Sequence, residues 1–259
     1  MEANKETYSS KKVIAYYKKY ESLQKPEESI FNLLKNKLSS MKMLDIGIGA
    51  GRTTIHFAPH VKEYIGVDYV AGMVDACKHK FSNKFPLSMF QIADARKLDQ
   101  FIEHEFDFVL FSFNGIDYIS PDERFLALQQ INRVIKPEGY FCFSSHNIQS
   151  LENPAKFKLR LNLFALIKQI IVWQKVKKTN RQQFAVIKTS EFISINDGVH
   201  DFGLQTYYFR PIVQQKILHK AGFKNVRFFS LETGLEIDNE NISISTSTDR
   251  WIYYLCQKV

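Results

Sequence analysis

The chain has 259 residues, of which 45% are hydrophobic and 24% charged, and its formal net charge is +8. These values are ordinary for a folded protein and exclude a disordered or fibrous chain. No apolar run reaches the ~18–20 residues that span a bilayer, and the polar N-terminus has no apolar signal region. The three cysteines are isolated in apolar stretches, which favours buried thiols in a reducing compartment over disulfides or metal ligation. We therefore expect a cytoplasmic protein with one large α/β domain.

Helices are predicted before the first strand. Residues 8–23 place apolar and tyrosine side chains at helical spacing. Pro26 and the two glutamates after it start a second helix that runs to about Ser39, because proline and acidic residues suit the first turn. Residues 1–40 are therefore expected to form an N-terminal helical cap.

The central stretch of the chain is Met43–Arg52, where a short apolar run breaks into glycines at alternate positions. Helical spacing resumes after Arg52, so the pattern predicts a strand, a tight turn and a helix start. Glycine permits unusual backbone dihedrals and close ligand approach, and a helix N-terminus attracts electron-rich groups. About twenty residues later a second strand ends in Asp68, at the offset of a carboxylate that accepts both hydroxyls of a ribose. The sequence therefore predicts a nucleoside-binding α/β site.

Helices and strands continue to alternate after Asp68. The pattern predicts a helix, two strands, a helix and a fifth strand in turn, over 70–81, 86–93, 106–113, 121–135 and 140–144. The 106–113 stretch is almost continuously apolar, as is typical of a central parallel strand covered on both faces. The loop from Asn114 to Tyr118 follows it, at the edge of the sheet where open α/β folds bind ligands.

The order D-x-G-x-G-x-G, formed by Asp45 and three glycines, resembles motif I of the class I S-adenosylmethionine-dependent methyltransferases. It differs from the dinucleotide fingerprint, because Arg52 stands where the last glycine of that fingerprint should be. Residues 133–139 are similar to the R-V-L-K-P-G-G turn of the family, with Glu138 in place of a glycine. Residues 221–226 are similar to its A-G-F-x-x-V stretch before the sixth strand.

The resemblance implies an α/β, Rossmann-like fold. Its seven-stranded, mostly parallel sheet would carry helices on both faces and an antiparallel last strand, with N-terminal helices and a helical lid insertion added. The core would comprise 41–147 and 211–259, and 148–210 would be a basic lid or acceptor-binding insertion. The resemblance also implies S-adenosyl-L-methionine as cofactor, S-adenosyl-L-homocysteine as product and a small-molecule acceptor.

The cofactor residues are assigned from the same resemblance. Asp68 would accept the ribose hydroxyls and Asp94, after the third strand, the adenine amino group. Neighbouring side chains and one tyrosine of the N-terminal helices complete the expected set, which is Asp45, Gly47, Gly49, Gly51, Asp68, Tyr69, Met73, Asp94, Ala95, Phe111 and Tyr16.

The acceptor side is assigned from the chemistry of methyl transfer. An alcohol or phenol must lose its proton, whereas a neutral amine need only be presented. His146, just past the fifth strand, is the first candidate base, and His200 and Asp201 come next; structural roles for the histidines are the alternative. Substrate contacts are expected from Asn114, Tyr118, Tyr207 and Tyr208. Oxygen on a sugar, polysaccharide precursor or secondary metabolite is the expected acceptor, with nitrogen the alternative, and no metal is expected.

A basic segment spans residues 153–190, with nine lysines and arginines and no acidic residue, which exceeds the whole net charge of +8. A helix is predicted over 155–176, with Leu166, Ile167, Ile170 and Trp173 on one apolar face. We favour a lid with this face turned inward. The alternatives are a surface for nucleic acid, as in an RNA methyltransferase, or for an anionic substrate, and an interfacial helix on anionic lipid. The segment lacks the interleaved aromatic residues of base-stacking surfaces.

Overall fold

A computed structural model describes residues 2–152, 163–238 and 249–259. Residues 153–162, which include Lys156, Lys158 and Arg160 of the basic segment, lie outside the described ranges, as do residues 239–248. Across the described part of the chain, no helix is long and apolar enough to cross a membrane.

The helices lie before, between and after the strands. They are α1 Glu2–Ser9, α2 Lys11–Tyr17, α3 Lys25–Leu38, α4 Thr54–Phe57, α5 Ala71–Phe81, α6 Pro121–Val134, α7 Gln149–Glu152, α8 Leu163–Thr179, α9 Arg181–Val186 and α10 Pro211–Lys220. Three short 3-10 helices occupy Ala58–His60, Leu87–Met89 and Gly115–Tyr118.

The strands form one large sheet and one hairpin. They are β1 Lys42–Ile46, β2 Glu63–Asp68, β3 Phe90–Ile92, β4 Phe106–Phe111, β5 Ile135–His146, β6 Phe192–Ile195, β7 Thr206–Phe209, β8 Phe223–Ser230, β9 Glu236–Ile237 and β10 Trp251–Lys258. The large sheet has the order β3-β2-β1-β4-β5-β10-β8-β9, and β6 pairs with β7. Neighbours from β3 to β5 are parallel, whereas β10 is antiparallel to both β5 and β8.

The sheet is buried on both faces. One apolar cluster packs α6 and α10 against one face, through residues such as Leu128 and Leu218, and a second packs α3 and α5 against the other, through Leu34 and Val74. Strands covered on both sides read as continuous apolar runs, which is why β4 could be recognised from its sequence. The Rossmann-like α/β fold and the antiparallel last strand are confirmed. The sheet has eight strands rather than seven, because two residues of β9 add an edge to β8.

Other boundaries differ from the prediction. The helix expected over 8–23 is two helices, because Ser10 interrupts it and caps α2 by accepting a hydrogen bond from the Val13 amide. The expected third strand begins with a 3-10 turn and is only three residues long. The inward apolar face predicted for the basic segment is wrong in part, because Ile167 and Ile170 are exposed while Val176 is buried.

A buried ion pair joins the N-terminal cap to the sheet. The Glu27 carboxylate of α3 accepts hydrogen bonds from both terminal nitrogens of Arg52, which follows the glycine turn, and from the Ser112 hydroxyl after β4. The Tyr253 hydroxyl of β10 lies 2.7 Å from the same carboxylate. Burial by itself would raise the pKa of Glu27, but the Arg52 charge and these hydrogen bonds outweigh burial and hold the pKa below its usual range. Glu27 is therefore ionised within the core.

The turn after β1 is tightly packed on one side and open on the other. Gly47, Gly49 and Gly51 all have φ in the left-handed region, at 67°, 54° and 79°. A Cβ on Gly51 would lie 2.4 Å from the Phe81 ring, whereas a Cβ on Gly49 would meet nothing within 4 Å. The two glycines therefore serve different purposes, since one allows close packing on α5 and the other faces open space.

We expect Gly51→Ala to lower the free energy of unfolding by about 3 kcal/mol, because it combines a left-handed backbone with overpacking against Phe81. Gly49→Ala is the matched control and should lose only about 1 kcal/mol, from the backbone alone. Urea unfolding followed by circular dichroism measures both. Equal losses would contradict the packing role of Gly51.

We expect Glu27→Gln to destabilise the fold by about 3–5 kcal/mol, because it leaves the Arg52 guanidinium buried without its counter-charge. The double variant Glu27→Gln/Arg52→Leu should lose less than the single one, since it removes both charges. In the parent protein ionised Glu27 contributes its full share to the free energy of unfolding at pH values above the usual glutamate pKa. This contribution is lost as the pH falls through the pKa of Glu27 in the folded state, which lies below the usual one. Chemical unfolding between neutral and acidic pH tests both statements. If Glu27→Gln/Arg52→Leu had a lower free energy of unfolding than Glu27→Gln, the unpaired Arg52 charge would not explain the loss of stability.

Candidate functional site

A cavity of about 500 Å³ opens at the carboxyl ends of β1, β2 and β4. This volume lies within the range of small-molecule sites, roughly 300–1,000 Å³. Its lining combines the glycine turn, the ends of β2 and β3, and aromatic side chains. Among the predicted cofactor residues, those that line it are Gly47, Gly49, Asp68, Tyr69, Met73, Asp94, Ala95 and Phe111.

Asp68 is held against the glycine turn by backbone amides. Its Oδ2 accepts a hydrogen bond from the Gly49 amide at 3.0 Å, and its Oδ1 accepts one from the Val70 amide at 2.9 Å. Burial raises its pKa to about 6, although the two amides act in the opposite direction. Each carboxylate oxygen can accept a further hydrogen bond. The side chain is thus oriented in the cavity wall with acceptor capacity left for a ligand.

Asp94 has a partner that the sequence did not reveal. Both of its oxygens accept hydrogen bonds from Arg96, whose guanidinium also contacts Glu123 at 2.6 Å. Burial tends to raise the pKa of Asp94, but the Arg96 hydrogen bonds and charge dominate and lower it. Asp94 and Arg96 both line the cavity. This end of the cavity therefore presents a fixed carboxylate whose orientation depends on an arginine two residues later.

Asp45 and Gly51 lie behind the cavity wall. The Asp45 Oδ2 accepts hydrogen bonds from the hydroxyls of Thr53 and Tyr64, at 2.5 and 2.7 Å. Burial raises the pKa of Asp45 to about 6, against the effect of these hydrogen bonds. Neither residue is in the cavity lining. Both therefore lie on the protein side of the glycine turn, and their contact with the cofactor stays a prediction.

Aromatic side chains of the N-terminal helices close the cavity from above. Tyr8, Tyr17 and Tyr20 line it, and the Tyr8 ring packs on that of Tyr118 with a centroid separation of 5.3 Å. Burial raises the pKa of Tyr17 to about 12, so this phenol is neutral at physiological pH. Tyr16, the tyrosine predicted from the sequence as a cofactor residue, is 45% exposed and lies outside the lining.

The structure separates these two neighbouring tyrosines of α2. Tyr17 lines the cavity, whereas Tyr16 is largely exposed. The sequence spacing could not separate them, because Tyr16 and Tyr17 follow the buried Val13 by three and four residues and both positions lie beside it on the helix.

His146 is part of a buried pair with Asp117. Its Nδ1 lies 2.8 Å from the Asp117 Oδ2, and its backbone amide donates to the same oxygen at 2.6 Å. The carboxylate thereby favours the tautomer with hydrogen on Nδ1 and leaves Nε2 as an acceptor. That Nε2 lies 3.4 Å from the Nδ2 of Asn114. His146 and Asn114 are not in the lining, but Phe113 and Gly115, on either side of Asn114, are.

An arginine holds this pair in place, and sequence reasoning missed it. Arg124 of α6 is 1% exposed and donates hydrogen bonds to Asp117, Ser145 and Gln214. Its guanidinium also lies 4.4 Å from the centroid of the Phe209 ring. The residues come from distant parts of the chain, so no local spacing could have indicated them. Arg124 thereby joins the helix α6 to the strand ends that carry the Asp117–His146 pair.

The remaining predicted residues fall on different sides of this region. Tyr118 lines the cavity, whereas Tyr208 lies beside the His146 ring at 4.7 Å and donates to Asp197. Tyr207 is partly buried on β7 and lies outside the lining.

The second pair of candidate bases lies outside the cavity. The His200 ring packs on the outer side of the tyrosines, within 5.6–5.9 Å of the rings of Tyr8, Tyr16 and Tyr17. Asp201 is exposed and pairs with Lys12 at 2.6 Å. Burial lowers the pKa of His200, although Asp201 opposes this effect. These positions favour a structural role for both residues.

The cavity has the donors and acceptors that S-adenosylmethionine requires. Asp68 can accept ribose hydroxyls, and the Gly49 position leaves room that a Cβ would occupy. Aromatic and aliphatic side chains such as Tyr69 and Met73 offer apolar contacts for an adenine ring. Within the described ranges, no group of three or more histidine, cysteine or acidic side chains could hold a metal ion.

Comparison with known sequences supports this interpretation. Residues 43–139 match the family described as a methyltransferase domain. An uncharacterized methyltransferase of Bacillus subtilis, YcgJ, is 31% identical over 106 residues, which are 40% of this chain and 40% of that protein. A carboxy-S-adenosyl-L-methionine synthase of Vibrio cholerae is 28% identical over 107 residues, covering 40% of this chain and 43% of the synthase. The match thus spans about two fifths of the length of these relatives.

A solved structure extends the likeness over most of the chain. The 1,6-didemethyltoxoflavin-N1-methyltransferase of Burkholderia thailandensis, determined with 1,6-didemethyltoxoflavin and S-adenosylhomocysteine bound, has a TM-score of 0.53. The two chains are 14% identical, and the alignment covers 91% of this chain and 78% of the other. At this identity the likeness concerns the fold. Together with the sequence match, it shows that residues 43–139 are similar to a methyltransferase domain and that the fold of this chain is similar to that of an S-adenosylhomocysteine-binding methyltransferase.

Proposed function

We propose that this protein transfers a methyl group from S-adenosylmethionine to a small-molecule hydroxyl. The observation that carries the cofactor part is the Asp68 carboxylate, fixed by the amides of Gly49 and Val70 in the wall of the cavity. When bound, S-adenosylmethionine supplies a methyl group already activated by its positive sulfur. The protein then has to hold the acceptor in line, exclude water and, for a hydroxyl, take up a proton.

The small size of the acceptor is inferred from the cavity. A volume of about 500 Å³ lies within the range of small-molecule sites and suits a cofactor together with a small acceptor. The fold neighbour from Burkholderia thailandensis was determined with a small molecule bound as well. That neighbour is an N1-methyltransferase, so it supports a small acceptor rather than an oxygen acceptor.

The choice of oxygen rests on the Asp117–His146 pair. A histidine whose Nδ1 hydrogen is held by a carboxylate has a basic Nε2 that can accept a proton from a hydroxyl. The Oδ1 of Asn114 is buried and finds no hydrogen-bond partner among the described residues. An acceptor hydroxyl placed beside Asn114 would satisfy this oxygen and approach His146. We therefore assign His146 as the base and Asn114 as the group that orients the acceptor.

We expect Asp68→Asn to weaken S-adenosylhomocysteine binding by about one to two orders of magnitude, because an amide offers one acceptor oxygen where the carboxylate offers two. In the parent protein the affinity should fall as pH drops below about 6, where Asp68 becomes protonated and can no longer accept from both ribose hydroxyls. Isothermal titration between pH 5 and pH 8 measures this dependence.

Asp68→Asn should also abolish the pH dependence, and Asp99→Asn, at a largely exposed site, is the control that should keep parent behaviour. A pH dependence that persists in Asp68→Asn would assign the titrating group elsewhere, with Asp45 the first alternative.

We expect His146→Asn to lower methyl transfer to hydroxyl acceptors about a hundredfold or more and to leave S-adenosylhomocysteine affinity unchanged. The measurement is transfer of radiolabelled methyl to a panel of sugars and phenols, with matched amines in parallel. His79→Asn, on the exposed side of α5, is the control. Transfer to amines alone, or full activity of His146→Asn, would refute the oxygen assignment while leaving the cofactor assignment intact.

A further inference from the structure

The outer side of α8 carries an exposed apolar row. Ile167, Ile170 and Ile171 are 46%, 47% and 59% exposed, and the spacing i, i+3, i+4 places all three on one helix face. Val172, beside them, is also exposed. Isolated exposed aliphatic residues are common, but a contiguous row on one helix is characteristic of an interaction surface.

The opposite side of α8 already has its packing partners. Val176 is 2% exposed, and the Trp173 ring lies 5.5 Å from that of Phe184. Trp173 and Phe184 pack in turn against the apolar cluster of Ile187, Ile193 and neighbouring side chains. The orientation of the helix is thus determined by its inner face. The three isoleucines therefore point outward because of the rotation of α8 and not because the helix lacks a core to pack on.

The same surface is strongly positive. Residues 163–190 contain six lysines and arginines and no acidic residue, the cations being Lys168, Lys175, Lys177, Lys178, Arg181 and Lys188. Within the described residues none of the six forms an ion pair within 4.0 Å. Lys175 lies over the Phe202 ring and Lys177 over the Trp173 ring. The other four side chains belong to exposed residues, although Lys168 is close enough to Asp201 to help lower its pKa.

The apolar row and the charges follow one another along the helix. Lys178 lies eleven positions after Ile167 and seven after Ile171, so it continues the same face about two to three turns on. Arg181 begins α9 immediately beyond. A face with aliphatic side chains beside a basic end can insert its apolar part below lipid headgroups while the cations contact their phosphates.

We propose that this outer face of α8, defined by Ile167, Ile170, Ile171 and Lys178, docks on an anionic phospholipid surface together with Arg181 at the start of α9. The positive charges favour an anionic partner, and the isoleucines favour a partner with an apolar interior that they can enter. Nucleic acid would use the charges but not the aliphatic row, since base stacking requires aromatic side chains. The proposal concerns peripheral attachment and is independent of which acceptor is methylated.

The test is co-sedimentation of the full chain with vesicles of phosphatidylcholine alone and of phosphatidylcholine mixed with phosphatidylglycerol. We expect binding to the mixed vesicles only, and weaker binding as salt is raised. Ile170→Asn/Ile171→Asn, which leaves the charge unchanged, should reduce the partition coefficient at least tenfold. Lys178→Gln/Arg181→Gln should reduce it about thirtyfold.

The matched control is Ile102→Asn, at a residue 73% exposed near the amino-terminal end of β4, which should bind vesicles like the parent. Thermal unfolding and S-adenosylhomocysteine titration of every variant show that the fold and the cavity are retained. Absence of vesicle binding would overturn the proposal, as would binding that Ile170→Asn/Ile171→Asn leaves unchanged. Binding of a single-stranded RNA oligonucleotide without vesicle binding would assign the surface to nucleic acid instead.

Discussion

The buried contact between Glu27 and Arg52 is the interaction on which the site depends most. It brings together α3, the residue after the glycine turn, the end of β4 through Ser112 and the last strand through Tyr253. A buried ion pair is not intrinsically more stabilising than apolar packing, but breaking one partner is costly. Its geometry also admits few arrangements. The pair therefore specifies where α3 lies on the sheet, and with it the position of the tyrosine-bearing helices that precede α3.

Arg52 connects this support to the cavity. Its guanidinium lies 5.0 Å from the Phe113 ring, and both residues line the cavity. One wall is thus built from backbone amides and a carboxylate at strand ends that are packed on both faces. The opposite wall is built from tyrosines on two short helices. This combination suits the proposed methyl transfer, since a fixed cofactor wall would position the reacting carbon and an aromatic cover would exclude water.

The position of His146 shows a similar division between local and distant support. Its place at the end of β5 is a matter of chain order, whereas its tautomer is set by Asp117 and the orientation of Asp117 by Arg124. Several hydrogen bonds join the side chains of this group, and such a network rigidifies the end of the sheet. Three of its buried atoms have no hydrogen-bond partner among the described residues, namely Arg124 Nε, Gln214 Nε2 and Asn114 Oδ1, and the last of these is the atom proposed to meet the acceptor.

Much of the fold was predictable because its strands are buried on both faces and its turns need particular residues. Most residues of β1, β2, β4 and β5 are buried, so these strands are visible in the sequence as largely apolar stretches. The hairpin of β6 and β7 was missed as a pair, since each of its strands is only four residues long. The sequence prediction named Tyr16, whereas Tyr17 lines the cavity. The sequence shows that several tyrosines are present, but the direction in which each one points depends on the rotation of the helix about its axis.

The sequence by itself determined the alternation of strands and helices, the glycine turn and the acidic residues at the ends of β2 and β3. These features follow from local requirements, namely burial, backbone dihedrals and spacing along the chain. Only the tertiary structure decided which side chains face the cavity, that Arg96 holds Asp94 and that Asp117 holds His146, and that three isoleucines of α8 face outward. Such contacts depend on the rotation of helices about their axes and on residues far apart in the chain, neither of which a single sequence specifies locally.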